Sequence, residues 1–252
     1  MELTWQTYAI VCPLVFLAGF IDSIAGGGGL ISLPAYYLAG LPPVLAAGTN
    51  KLSACLGTVA STTRFVRGRK VVWSTGLLAA LGAFPGSWLG TQLLLHIPET
   101  MVRLLMIVAI PVVACVVLRR SGDTAGRCIV PEGWTRAVAF LVGLLIGFYD
   151  GLIGPGTGTF LILMFTMLLG MEAVLASGTA KIVNLTSNLA SLVSLLLSGQ
   201  VAVALGLPAA LCGIAGNWLG AGMTMKRGAG FIRVVMLIVL ALLLAKMVYD
   251  VV

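Results

Sequence analysis

The chain has little charge for its length. Only 9% of its 252 residues are Asp, Glu, Lys or Arg, whereas 60% are hydrophobic, and the mean hydropathy is +1.10. Soluble domains carry roughly 25% charged residues, and several apolar runs here approach the ~20 residues that span a hydrocarbon core. The composition argues against an ordinary soluble domain and predicts an all-α polytopic membrane protein.

Residue patterns typical of metal sites and of ATP hydrolysis are also missing. His96 is the only histidine, next to Ile97-Pro98 at a predicted loop, and the five cysteines show no CxxC or metal-ligand spacing. No GxxxxGK(S/T) motif is present. We therefore expect no catalytic residues, no metal and no cofactor. A membrane enzyme remains a disfavoured alternative, since no catalytic constellation is evident.

The positive charge that the chain does have fits a membrane protein. The net charge of +7 could suggest a nucleic-acid partner, but lysine and arginine accumulate in the cytoplasmic loops of membrane proteins. We expect lipid and no nucleic acid as partners. The first residues, Met1 to Gln6, lack the basic region of a signal peptide, so the first apolar run is predicted to be a membrane helix.

Five segments are predicted in the first half, bounded by breaks in the apolar pattern. They cover about 4–25, 30–39, 44–66, 71–95 and 99–118. The second segment is too short to cross a membrane at ~1.5 Å per residue. A polar linker follows the fifth segment.

The second half repeats the first. Four pairs of motifs match in order, at spacings of 128 (147 − 19) or 130 (178 − 48) residues: GFID at Gly19 and GFYD at Gly147, GTNK at Gly48 and GTAK at Gly178, GSWLG at Gly86 and GNWLG at Gly216, and Arg103 and Arg233. Such ordered matches indicate duplication. The predicted organisation is a first repeat at 1–120, a cytoplasmic linker at 121–135 and a second repeat at 136–252.

The two repeats are predicted to be inverted. The basic turn at 67–70 should be cytoplasmic, whereas its counterpart, Ser198-Gly199-Gln200, has no charge. Equivalent loops on opposite sides require an odd number of passes per half. About five segments per half, or 8–10 membrane segments in total, meet this condition if the first two of each half are short or re-entrant.

Two glycine-rich breaks interrupt the apolar pattern. We call residues 26–29 (GGGG) the first glycine knot and residues 154–159 (GPGTGT) the second. A helix that starts after such a break offers free N–H groups to an anion, and Gly28, Gly29, Gly156 and Thr157 are the candidates. The alternative is tight helix packing, which we favour for the GxxxG pairs Gly86/Gly90 and Gly216/Gly220.

Polar residues recur after the knots. Thr49 or Asn50, and Ser177 or Thr179, are predicted to cap the third segment of each half. Lys51 and Lys181 then begin these segments, and they either bind the charge of a substrate or snorkel to the headgroups.

Acids and amides complete the candidate set. Asp22 and Asp150 either pair structurally with lysine and glycine-turn N–H groups, or they couple transport to a proton or cation. Asn184 and Asn188 are one helical turn apart, so they share a face that lines a cavity or joins helices.

These motifs resemble the TauE/SafE family, the sulfite/organosulfonate exporter-type permeases. The resemblance rests on Gly26 to Gly29 followed by Pro34, on Gly48 to Lys51, on the basic turn 67–71 and on Gly178 to Lys181. It covers nearly the whole chain. The second knot departs from the pattern by containing Pro155 and Thr157, and Ala180 replaces Asn50, so the two half-sites differ chemically.

The resemblance implies a secondary transporter in the bacterial inner membrane for sulfite, sulfoacetate or another sulfonate, and a homodimer is left open. Our hypothesis is alternating access around an anion site. The rival is a cation- or proton-coupled transporter or channel that uses Asp22 and Asp150. The residues expected to bind substrate are Gly28, Gly29, Thr49, Asn50, Lys51, Gly156, Thr157, Thr179, Lys181 and Asn184.

Overall fold

The protein is helical throughout the part of the chain that the structure describes. This computed structural model describes residues 4–98, 100–101, 104 and 130–251. In chain order the helices are α1 (Trp5–Ala25), α2 (Gly29–Leu38), α3 (Pro43–Arg67), α4 (Trp73–His96), a 3₁₀ turn (Glu132–Trp134), α5 (Thr135–Leu152), α6 (Thr157–Leu169), α7 (Ala173–Leu197) and α8 (Val203–Val251).

Five of the described helices are long and apolar enough to cross a membrane. They are α1, α4, α5, α7 and the Val203–Gly228 part of α8. Helix α3 is as long as α7, at 25 residues, but it is more polar and largely buried. The prediction of a polytopic all-α membrane protein is confirmed.

Among the described segments, only the second of each half is short. Helices α2 and α6 have 10 and 13 residues, whereas α1 and α5 have 21 and 18. The expectation was that the first two segments of each half are short or re-entrant. The lengths of α1 and α5 exclude a short first segment, and re-entrance stays a prediction. The apolar run simply continues up to the glycine knot before it breaks.

The last helical stretch is broken at Gly228, whose φ of 70° and ψ of −160° lie outside the helical region. Most of the predicted fifth segment, 99–118, lies outside the described residues, as do Arg103 and the linker up to residue 129. The repeat boundaries and the inverted orientation stay predictions.

Glycines on two helices let pairs of helices approach closely. A Cβ added at Gly86 or Gly90 of α4 would clash with backbone carbonyls of α5, and one at Gly216 or Gly220 would clash with carbonyls of α1. The packing interpretation of both GxxxG pairs is confirmed. Helix α4 thus packs on α5 of the second half, and α8 packs on α1 of the first half.

The predicted helix caps were wrong. Helix α3 begins at Pro43, where proline's fixed φ favours a helix start, so Thr49 and Asn50 lie inside the helix. Likewise α7 begins at Ala173, which places Ser177 and Thr179 within it. The hydroxyl groups instead donate to carbonyls four residues earlier, as from Thr49 to Leu45 at 2.7 Å and from Thr179 to Leu175 at 2.7 Å.

Candidate functional site

Both intramembrane lysines form ion pairs with an acid of the other half. Lys51 Nζ on α3 lies 2.7 Å from Asp150 Oδ2 on α5, and Lys181 Nζ on α7 lies 2.5 Å from Asp22 Oδ2 on α1. The lysines are only 6% and 1% exposed. Snorkelling is therefore excluded, and each lysine already has a counter-charge within the protein.

Asp150 is held by several donors. Thr157 Oγ1 donates to Asp150 Oδ1 at 2.8 Å, and Ser187 Oγ donates to Asp150 Oδ2 at 2.7 Å. The paired Lys51 also donates to Asn188 Oδ1 at 3.1 Å. These bonds fix the charged pair in a setting where an unpaired charge would cost several kcal/mol.

Asp22 has fewer partners. Besides Lys181, it accepts a hydrogen bond only from the Gly28 backbone N–H among the described residues, at 3.4 Å. Its side chain is 17% exposed, against 3% for Asp150. A Cβ at Gly28 would overlap the Asp22 side chain, so glycine is required for this approach.

The two glycine knots touch each other. A Cβ at Gly26 would clash with the backbone of Gly158, and Thr159 Oγ1 donates to the carbonyl of Ala25 at 2.6 Å. The turn conformations also require glycine, since φ is 78° at Gly26 and 82° at Gly156. The short helices α2 and α6 thus begin where the two halves meet.

The Gly-Thr pairs hold turns of the opposite half. A Cβ at Gly178 would clash with the carbonyl of Lys70, and Thr179 Oγ1 accepts the N–H of Val72 at 3.0 Å. These contacts fix the turn between α3 and α4.

The first half makes the same contacts. A Cβ at Gly48 would clash with the carbonyl of Gln200, and Thr49 Oγ1 accepts the N–H of Ala202 at 3.0 Å. The repeated motif therefore combines a glycine for close approach, a threonine for a hydrogen bond and, two residues later, a lysine for an ion pair.

A cavity of about 50 Å³ lies where the knots and ion pairs meet. That volume holds a few water molecules or one small oxyanion, at ~10–15 Å³ per water. Its polar or charged lining residues are Asp22, Ser32, Asn50, Lys51, Ser53, Asp150, Thr157, Asn184, Asn188 and Asn217.

One polar atom in the cavity wall lacks a partner. Asn50 is 8% exposed, and its Oδ1 is buried with no hydrogen-bond partner in the described structure. Leaving such a group unsatisfied costs about 1–3 kcal/mol. This unsatisfied oxygen is a hydrogen-bond acceptor, so it is available to a donor group of a ligand or to water.

The structure brings eight of the twelve predicted site residues into the cavity wall. These are Asp22, Gly28, Gly29, Asn50, Lys51, Asp150, Thr157 and Asn184. Four lie elsewhere: Thr49 and Thr179 hold turns, Lys181 lies behind Asp22, and Gly156 precedes α6.

Sequence reasoning missed Asn217. Its Oδ1 accepts a hydrogen bond from Ser23 at 2.8 Å, and it lines the cavity from α8. The signal was present, because GNWLG contains an amide where GSWLG has Ser87. The packing interpretation of both GxxxG pairs does not assign Asn217 to the site. Asn188, noted for sharing a face with Asn184, also lines the cavity and donates to Asn184 Oδ1 at 3.2 Å.

The described residues contain no group of three or more His, Cys, Asp or Glu that could hold a metal ion.

Comparisons with known proteins place the chain among membrane transporters. The family model "Sulfite exporter TauE/SafE" matches residues 11–247. A "Probable membrane transporter protein" of Haemophilus influenzae is 38% identical over 256 residues, covering 99% of this chain and 98% of that protein.

More distant relatives have similar names. "Probable membrane transporter protein YfcA" of Escherichia coli K12 is 33% identical over 98% of this chain and 94% of its own length, and "Probable membrane transporter protein YunE" of Bacillus subtilis is 24% identical over 97% and 98%. No solved structure gives a significant match. The chain is a multi-pass membrane transporter.

Proposed function

Because the chain belongs to the TauE/SafE family, we propose that it is a secondary transporter that moves a small sulfur oxyanion or organosulfonate across the bacterial inner membrane. The observation that carries the proposal is the cavity between the halves. Broken helices that meet around a polar site are a recurring plan for transporters that work by alternating access. The family's description supplies the substrate class, sulfite being its named cargo.

Neutral donors suit an anion in this cavity. The amides of Asn50, Asn184, Asn188 and Asn217 line it. Asn188 already donates to Thr58 and Asn184, and Asn217 donates to the carbonyl of Gly213. Asn50 and Asn184 are therefore the amides that can turn an NH₂ group towards a sulfonate oxygen. Lys51 adds positive charge, but Asp150 shares it. An incoming anion would therefore be held by the NH₂ groups of Asn50 and Asn184 and by a lysine whose charge Asp150 partly neutralises, which favours reversible binding.

The ion pairs couple the movements of the two halves. Each pair joins one half to the other, so a relative rocking of the halves must keep, exchange or hydrate these contacts. The chain lacks a P-loop motif, so the proposed energy source is an ion gradient or the substrate gradient itself.

Calorimetry on the purified protein tests the substrate class. We expect wild type to bind sulfite or sulfoacetate and Asn184→Ala to bind it roughly 10- to 150-fold more weakly, for the loss of one hydrogen bond to a charged group. The substitution to alanine matches the first half, where Ala54 occupies the position equivalent to Asn184. The matched control is Thr186→Val, which alters the same helix outside the cavity wall and should bind normally.

If folded wild-type protein binds neither sulfite nor sulfoacetate, the proposed substrate class is wrong. If Asn184→Ala and Thr186→Val weaken binding equally, the anion lies outside this cavity.

The rival function uses the carboxylates. Asp22 lines the cavity, is partly exposed and, in the part of the chain that the structure describes, has a single backbone donor besides its lysine. These features favour Asp22 over Asp150 as a proton or cation carrier. We expect Asp22→Asn to remove the pH dependence of transport in proteoliposomes while the variant stays folded. If Asp22→Asn and Asp150→Asn both transport like wild type across the pH range, neither carboxylate couples transport.

A further inference from the structure

Six basic side chains surround the turn that follows α3. Arg64, Arg67, Arg69 and Lys70 come from α3 and the turn, and Lys226 and Arg227 come from α8. A Cβ at Gly68 would meet the Met225 sulfur, so the α8 residues lie beside the turn. None of the six forms a salt bridge with a described side chain, and neither does Glu172, the acid that precedes α7.

Two of these arginines are positioned by a tryptophan. Arg64 Nη1 donates to the carbonyl of Trp218, and its Cζ lies 4.9 Å from the centre of the Trp218 ring. Arg67 Cζ lies 6.0 Å from the same ring. A Cβ at Gly222 would overlap the Arg64 guanidinium, so Gly222 makes room for it. Two cations thus lie near one aromatic ring.

The other half shows that this arrangement is not needed for helix packing. At a spacing of 130 residues, Ser194 replaces Arg64 (194 − 64) and Gln92 replaces Gly222 (222 − 92). There, Gln92 Nε2 donates to Ser194 Oγ at 2.8 Å. A neutral hydrogen bond therefore suffices between equivalent helices, and the arginines at the first site have another role.

An exposed apolar stripe on α8 leads to the arginines. Leu207, Leu211 and Trp218 lie on one face, four and seven residues apart, and all three are exposed. On a membrane-spanning helix such a face meets acyl chains. The surface therefore combines an apolar stripe with a doubly cationic end.

We propose that Arg64, Arg67 and Trp218 bind the phosphate of an anionic phospholipid, with an acyl chain along the α8 stripe. Guanidinium groups match phosphate oxygens in pairs, and basic clusters at the cytoplasmic surface attract anionic lipids. A free phosphate ion would satisfy the arginines but would leave the stripe unused. The proposal is independent of the transported substrate.

Native mass spectrometry of the delipidated full chain in nonionic detergent tests the site. The added probes are phosphatidylglycerol, phosphatidylethanolamine and inorganic phosphate. The test variant is Arg64→Ser/Arg67→Gln/Gly222→Gln, which installs the neutral Ser–Gln pair of the other half and so preserves packing. The matched control is Arg69→Gln/Lys70→Gln, which removes two charges from the adjacent turn. Thermal unfolding confirms that each variant is folded.

We expect wild type and the control to retain phosphatidylglycerol about tenfold or more over phosphatidylethanolamine, and the test variant to lose this preference. Equal loss in both variants would show that surface charge alone attracts the lipid and would overturn the site. The site would also be overturned if wild type showed no preference between the two lipids, or if millimolar phosphate displaced phosphatidylglycerol. A dimer that dissociates only in the test variant would overturn it as well, because the surface would then be an interface between copies.

Discussion

The two ion pairs that join the halves occupy equivalent places but differ in their surroundings. Asp150 accepts hydrogen bonds from Thr157 and Ser187 in addition to its lysine. Among the described residues, Asp22 has only a backbone N–H at 3.4 Å besides its lysine. Both pairs reach the cavity wall, but Asp150 is held by side-chain hydrogen bonds, whereas Asp22 is more exposed and less tightly bonded.

The difference comes from side chains that only one copy has. At spacings of 128 and 130 residues, the positions equivalent to Thr157 and Ser187 are Gly29 (157 − 128) and Gly57 (187 − 130). The predicted duplication would account for ion pairs and turn contacts that occur twice. The extra polar groups occur in the second half alone, so the site is asymmetric.

The sharpest test of the comparison is whether the halves are inverted. In a cysteine-free background, Arg69→Cys and Ser198→Cys place thiols in exposed positions of the two equivalent turns. We expect a membrane-impermeant thiol reagent to label them from opposite faces of the membrane. Labelling from the same face would contradict the inverted repeat.

Removing one partner should affect the two ion pairs unequally. Lys51→Met leaves Asp150 buried without a counter-charge, which costs about 3–5 kcal/mol. Lys181→Met leaves Asp22, which is partly exposed and can be hydrated, so a smaller loss is expected. Thermal unfolding in detergent measures the loss of stability of each variant.

The double variant Lys51→Met/Asp150→Asn is the control, because it removes both charges and should recover most of the lost stability. Equal losses for the two lysine variants, or no recovery in the double variant, would show that the pairs are equivalent or that charge is not the cause.

The turn contacts should, in contrast, behave alike in both halves. Gly48→Ala and Gly178→Ala each place a methyl group against a carbonyl of the opposite half, which costs about 1–3 kcal/mol. Gly133→Ala is the control, since nothing lies within 4 Å of its Cβ position. In thermal unfolding, Gly48→Ala and Gly178→Ala should have similar unfolding temperatures, both lower than that of Gly133→Ala. A large difference between them would break the equivalence of the two turns.

The sequence predicts the helices well because the apolar pattern breaks sharply at their ends. Predicted segments at 4–25, 30–39, 44–66 and 71–95 match α1 to α4 within two residues. Apolar runs set their lengths, and glycine or proline ends them.

The site could be predicted only in part. Matching lysines and acids identified the charged residues, but which lysine meets which acid depends on how the halves pack. The helix caps failed for a local reason, since hydroxyls inside an apolar helix bond to the carbonyl four residues earlier. Asn217 was missed because close packing already explained its motif.

Asn50 gives the finest test of asymmetry. Its equivalent in the second half is Ala180 (180 − 130), and its side chain makes no described hydrogen bond within the protein. Asn50→Ala therefore makes the halves equal at this position without breaking a described hydrogen bond. Since an unsatisfied buried acceptor costs about 1–3 kcal/mol, the variant should unfold at the same or a higher temperature than wild type. If the amide contacts the substrate, calorimetry should at the same time show weaker binding of sulfite or sulfoacetate. A variant that loses stability but binds normally would mean that Asn50 serves the fold, and the cavity would then owe its selectivity to the amides of α7 and α8.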